Sequence, residues 1–162
     1  MTEHEDLNSI ARISRLATET VRSYIKVQDS VFKFSIMKAL GFKETDTASA
    51  AILASQLKDN ISGLLESVRA MKLEKSDPIG DYCITLRVYL RTVEEAIDGF
   101  IGLCNRMTEA KADKRSRYWR DNYKKDLKAY QLKEADYMKI GIELNEKWAR
   151  VKKMQAAAQT AE

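Results

Sequence analysis

Chemistry in this 162-residue chain has to be sought in two cysteines, one histidine, an adjacent pair of glutamates and a run of tyrosines set among lysines. His4 is the only histidine and stands near the N-terminus, where it cannot anchor a Ser or Cys triad. Cys83 and Cys104 fall 21 positions apart on what reads as one continuous helix. At 1.5 Å per residue they are separated by about 30 Å and cannot bridge. There is no CxxC, no HExxH and no Glu-x-x-His pair to hold a metal, and no Gly-rich phosphate loop. Glu94 and Glu95 are adjacent, so on a helix they point about 100° apart and read as a solvated pair. The expectation is a protein that is not an enzyme and uses neither metal nor cofactor.

The stretch YKKDLKAYQLKEADY places Tyr123, Tyr130 and Tyr137 seven residues apart. On a helix these fall on one face with Trp119, Leu127, Leu144, Trp148 and Val151, which reads as a packing seam and not as a ligand platform. The lysines then face outward. Residues 114 to 153 carry 13 Lys/Arg against 6 Asp/Glu, while residues 1 to 113 carry 15 against 17, so the net charge of +4 belongs to the last quarter. Lys114, Arg115, Arg117, Arg120, Lys124, Lys125 and Lys128 make its start the most basic. A segment of this kind is drawn to an anionic membrane or an acidic partner. Nucleic acid is a weaker expectation, since no helix-turn-helix, zinc finger or aromatic sheet motif supports base reading.

The elements that must position these residues are helices. One proline, six glycines and 44% apolar residues leave few turns, and the length suits one domain over residues 1–162. The first helix, about 7–40, carries Ile10, Ile13, Ala17, Val21, Tyr24, Val31 and Phe32 on one line, with Gly41 as its stop. The second, about 46–74, starts at cap oxygens of Thr45, Asp46 and Thr47 and carries Leu53, Leu57, Ile61, Leu64, Val68 and Met71. Asp77 and Pro78 restart the chain into a third helix, about 78–112. Its stripe of Ile79, Tyr82, Leu86, Val93, Ile97, Phe100, Cys104 and Met107 is broadened by Cys83, Tyr89, Leu90 and Ile101. Gly99 and Gly102 mark close helix approach. A turn or bend around KADKRSR leads to the last helix, about 114–155, and the tail after it is expected to fray. No apolar run is long enough to span a bilayer, and two reduced thiols without a signal peptide predict an intracellular protein.

The corner VFKFSIMKALG, followed by Thr47, Ala48, Leu53, Leu57 and Ile61, is similar to the BAR domain of the retromer-associated sorting nexins. Asp81-Tyr82, Trp119, Asp126-Leu127-Lys128 and Lys147-Trp148 resemble residues of that family's later helices, so the likeness spans about residues 10 to 153. The chain departs from the family in having no phosphoinositide-binding PX domain, and the outer parts of the second and third BAR helices are missing between about Ala110 and Arg117. The resemblance implies an antiparallel two-fold bundle, homotypic or with a related chain, whose basic surface faces curved anionic membrane. It further implies a cytoplasmic protein of membrane trafficking, peripheral on endosomes.

The expected architecture is an all-α, elongated antiparallel helical bundle. The stripe of the third helix looks wider than one short chain can cover, which predicts a dimer. Phe32, Leu57, Leu86, Val93, Ile97, Phe100, Tyr123 and Tyr130 are its expected core or dimer seam. The expected function is a dimerising scaffold on anionic phospholipid; the alternative is an adaptor that meets an acidic protein without lipid.

Overall fold

A computed structural model of the chain describes residues 3–33, 46–71 and 77–160, with side chains described within 6–157. The described residues form four long helices and one short one: α1 (Glu3–Phe32), α2 (Thr47–Ala70), α3 (Pro78–Ala112), α4 (Tyr118–Asp121) and α5 (Tyr123–Thr160). Among them there is no strand, and no helix is long and apolar enough to cross a membrane. The expected end of the first helix at Leu40 and Gly41, the Thr45 cap and the last turn of the second helix lie outside the described residues.

Local chemistry fixes the helix ends. The Asp46 carboxylate accepts the Ser49 N–H at 3.0 Å and starts α2. Asp77 accepts the Ile79 N–H at 3.2 Å ahead of Pro78, where a missing N–H costs no helical bond. The end of α2 is held from outside: the Arg87 guanidinium of α3 donates to the carbonyls of Val68 and Met71, both at 3.0 Å, where the helix dipole favours a cation.

α3 is the central rod. It lies between α2 and α5, and α1 runs along α2 and α3, while no Cα atom of α1 comes within 8 Å of one in α5. Ile10, Ile13, Ala17, Val21, Tyr24 and Val31 of α1 turn inward as their spacing predicts. So do Tyr130, Tyr137, Leu144 and Val151 of α5.

Three expectations are corrected here. Leu53 faces solvent, 49% exposed, while Ala50, Ala51 and Ala54 are buried; three small side chains, not a leucine ridge, carry the first half of α2 into the core. Trp119 belongs to the short α4 ahead of the break at Asn122 and stands 41% exposed at the end of the tyrosine seam, touching it through the Tyr123 ring. The width of the α3 stripe does not call for a second copy. Leu86, Leu90, Val93, Ile97, Phe100 and Cys104 are all at or below 1% exposure inside one chain, covered by α1, α2 and α5. Of the residues expected in the core or a dimer seam, Leu86, Val93, Ile97, Phe100 and Tyr130 are buried within the single chain, and Phe32, Leu57 and Tyr123 pack against them half-buried.

Glycine has a visible use at one point of the α3–α5 contact. A Cβ on Gly99 would stand 3.2 Å from Lys133 Cδ and 3.5 Å from a Tyr130 ring carbon, so the glycine admits α5. Gly102 does not mark helix approach; what lies over it is the Arg106 side chain of its own helix. The tail is helical to Thr160, beyond the expected end at 155.

Candidate anion-binding corner

The passage from α3 to α5 is a tight corner built on aspartate. At Asp113 the carboxylate accepts the Arg115 N–H at 2.9 Å and the carbonyl accepts the Ser116 N–H at 3.0 Å, which turns the chain out of α3. α4 adds one helical turn, and Asn122 links it to α5 by accepting the Asp126 N–H at 3.0 Å. The corner is braced from below. Arg106 of α3 pairs with Asp126 at 2.8 Å, and the Tyr118 hydroxyl donates to the same carboxylate at 3.0 Å. No sequence pattern marks Arg106 and Tyr118, because their shared partner lies 20 and 8 residues away across a turn and no short motif joins them.

On this frame stand all seven of the cations expected from sequence: Lys114, Arg115, Arg117, Arg120, Lys124, Lys125 and Lys128, every one exposed. Only Arg120 is engaged, with Asp121 at 2.8 Å; the other six make no ion pair among the described residues. Two of the corner's three acids, Asp121 and Asp126, are thus already taken by arginines. Residues 113 to 128 hold seven Lys/Arg against three Asp, an excess equal to the whole chain's +4. Beside them Trp119 is 41% exposed, its ring 5.0 Å from Tyr123 and 5.9 Å from Tyr118 between centroids. An aromatic propped on other aromatics amid unpaired cations offers both an apolar wedge and charge to an anionic surface.

The bundle interior carries a second polar feature. The hydroxyls of Tyr24 on α1 and Tyr130 on α5 stand 2.5 Å apart, and Gln28 of α1 donates to Glu134 of α5. These contacts clasp two helices whose backbones do not touch. Burial lifts the Glu134 carboxyl above the usual carboxylate range, with the Gln28 and Tyr130 hydrogen bonds acting against it. Burial also pushes the Cys83 thiol up to about 11 and Cys104 to about 12, which leaves both protonated and poorly nucleophilic.

The other sequence-level candidates are dispersed. Glu94 accepts a hydrogen bond from Ser62 on α2 and is half-buried, while Glu95 pairs with Arg91 at 3.4 Å, so the two carboxylates share no site. Among the described residues no group of three or more His, Cys, Asp or Glu side chains could hold a metal ion. Asp81 and Lys147 form an ion pair at 2.9 Å, and the rings of Tyr82 and Trp148 meet at 4.9 Å. No family model, curated protein or solved structure matches the chain.

Proposed function

We propose that this protein is a non-enzymatic helical scaffold that associates peripherally with anionic membranes through the corner between α3 and α5. The observation that carries the reading is the concentration of six unpaired cations and an exposed tryptophan on one braced turn. Each Lys or Arg near an anionic leaflet contributes about 1 kcal/mol, and an indole settles at the headgroup level. The rest of the surface is close to neutral, so the corner also orients the molecule.

Co-sedimentation with phosphatidylserine vesicles tests this. The wild type should pellet with them, and Lys124→Glu/Lys125→Glu/Lys128→Glu should weaken binding by at least about a hundredfold at low salt, with an unchanged helical circular-dichroism spectrum. Unchanged sedimentation of the triple variant rejects the corner. A wild type that ignores the vesicles favours the acidic protein partner in place of lipid.

The sorting-nexin BAR-like form of this reading adds pairing of two copies and an endosomal location. Its support is the mutual contact of residues that carry the resemblance, Asp81 with Lys147 and Tyr82 with Trp148. With α3 covered, such a pair would draw on apolar side chains left outside the core, Leu132, Met138 and Ile142 of α5.

A further inference from the structure

Because α1 and α5 stand apart, the bundle is open along one side. The Tyr24–Tyr130 and Gln28–Glu134 contacts close one end of the opening, and the Tyr82 ring against Trp148 partly closes the other. Between them two adjoining cavities, of about 190 and about 370 Å³, form a single groove that shares Ser14, Thr18, Arg22, Asn145 and Trp148. The inner one has an apolar lining of Ala17, Val21, Leu86 and Leu144 with the rings of Tyr82 and Tyr89. Gly141 keeps this wall thin: a Cβ there would stand 3.2 Å from Tyr89 Cε2.

We infer that this groove binds a small arylalkyl monocarboxylate, with its ring against Tyr89 and Trp148 and its carboxylate at Arg22. The size fits, since a cavity of about 150 Å³ accepts benzene and this one is somewhat larger. The lining fits as well: it is mostly apolar and aromatic, with a few polar groups converging at the mouth. Charge decides the ligand's polar end. Arg15 at the rim is occupied by Glu19 at 3.9 Å, whereas Arg22 has no ion pair among the described residues, so the mouth carries one uncompensated positive charge. A guanidinium matches the two oxygens of a carboxylate, and Asn145 of α5 lines the same mouth. One cation suits a monoanion better than a doubly charged phosphate. The groove shares no residue with the basic corner, so this inference stands apart from membrane association.

The test compares 3-phenylpropionate with 3-phenylpropanol, which has the same apolar body without the charge. Titration calorimetry is joined by fluorescence in a Trp119→Phe background, where Trp148 is the one remaining tryptophan. The acid is expected to bind saturably at one site, at least about tenfold tighter than the alcohol. Arg22→Gln, at an exposed position, should bring the acid down to the alcohol's affinity and leave the alcohol unchanged. Thr18→Phe should fill the groove and abolish binding of both, with the fold checked by circular dichroism. Equal affinity of acid and alcohol, acid binding that keeps its wild-type affinity in Arg22→Gln or survives in Thr18→Phe, or no saturable binding would each overturn the inference.

Discussion

Glu134 shows how a single side chain registers the burial of its surroundings. Its carboxyl lies between α1 and α5, hydrogen-bonded to Gln28 and Tyr130, with Asp29 as the nearby like charge, and burial sets its pKa above the unfolded value. A carboxyl shifted upward binds its proton more tightly in the folded state, so its contribution to stability is full below the unfolded pKa and is lost as pH rises through the folded one. Stability measured by urea unfolding should therefore gain from this group on acidification from neutral pH toward the ordinary Glu range. Glu134→Gln should remove that component, so the difference in stability between the two proteins should change steadily as pH falls from neutral; parallel profiles would show that the carboxyl is solvated. The cysteines make a second expectation at this scale. With both thiols buried and shifted upward, Cys83 and Cys104 should resist iodoacetamide in the native protein and react only at the rate of global unfolding. Rapid labelling of either would mean that the core opens locally.

At the scale of the helix, two glycines separate propensity from packing. Gly63 lies in the interior of α2, exposed, with nothing within 4 Å of where a Cβ would stand. Gly63→Ala should stabilise the protein by about 0.5–1 kcal/mol through helix propensity alone. Gly141→Ala gains the same propensity but sets a methyl against the rigid Tyr89 ring at 3.2 Å, so its net effect should be smaller or of opposite sign. Thermal unfolding of both variants checks the contrast, and equal shifts would refute it. The same elements show what a one-dimensional pattern reveals. α3 was legible to the residue, since Asp77-Pro78 punctuates its start and its stripe runs unbroken from Ile79 to Met107. The first half of the α2 face was not, because periodicity weighs Leu53 above three alanines, whereas a close helix contact selects the small side chains; Leu57, Ile61, Leu64, Val68 and Met71 turn inward as their spacing predicts. Trp119 stands before a break at Asn122 that no periodicity announces, and it is left 41% exposed at the end of the seam. Lining the groove takes residues from α1, α3 and α5, and no spacing within a helix announces such a site.

In the whole molecule, apolar coverage and charge distribution separate two questions that the sequence ran together. The breadth of the α3 stripe argued for a partner copy only while its covering helices were uncounted; three helices of the same chain enclose it, and a bundle that shelters its own core needs no dimer for stability. The basic charge, by contrast, is where the sequence placed it, because exposed like charges stay outside whatever the packing. Light scattering should accordingly return one chain, 18.5 kDa, at micromolar concentration. A mass near twice that value would restore pairing and direct attention to Leu132, Met138 and Ile142, the apolar side chains of α5 left in solvent at 62%, 53% and 65%. Salt then distinguishes what holds the protein to vesicles. The screening length falls from about 10 Å at 0.1 M to about 3 Å at 1 M, so binding through six dispersed cations should be lost across that range, whereas binding through apolar insertion should persist or strengthen. Loss of binding in high salt with the single-chain mass retained assigns attachment to the corner's charge. Retention in high salt, abolished by Trp119→Ala, would assign it to the indole instead.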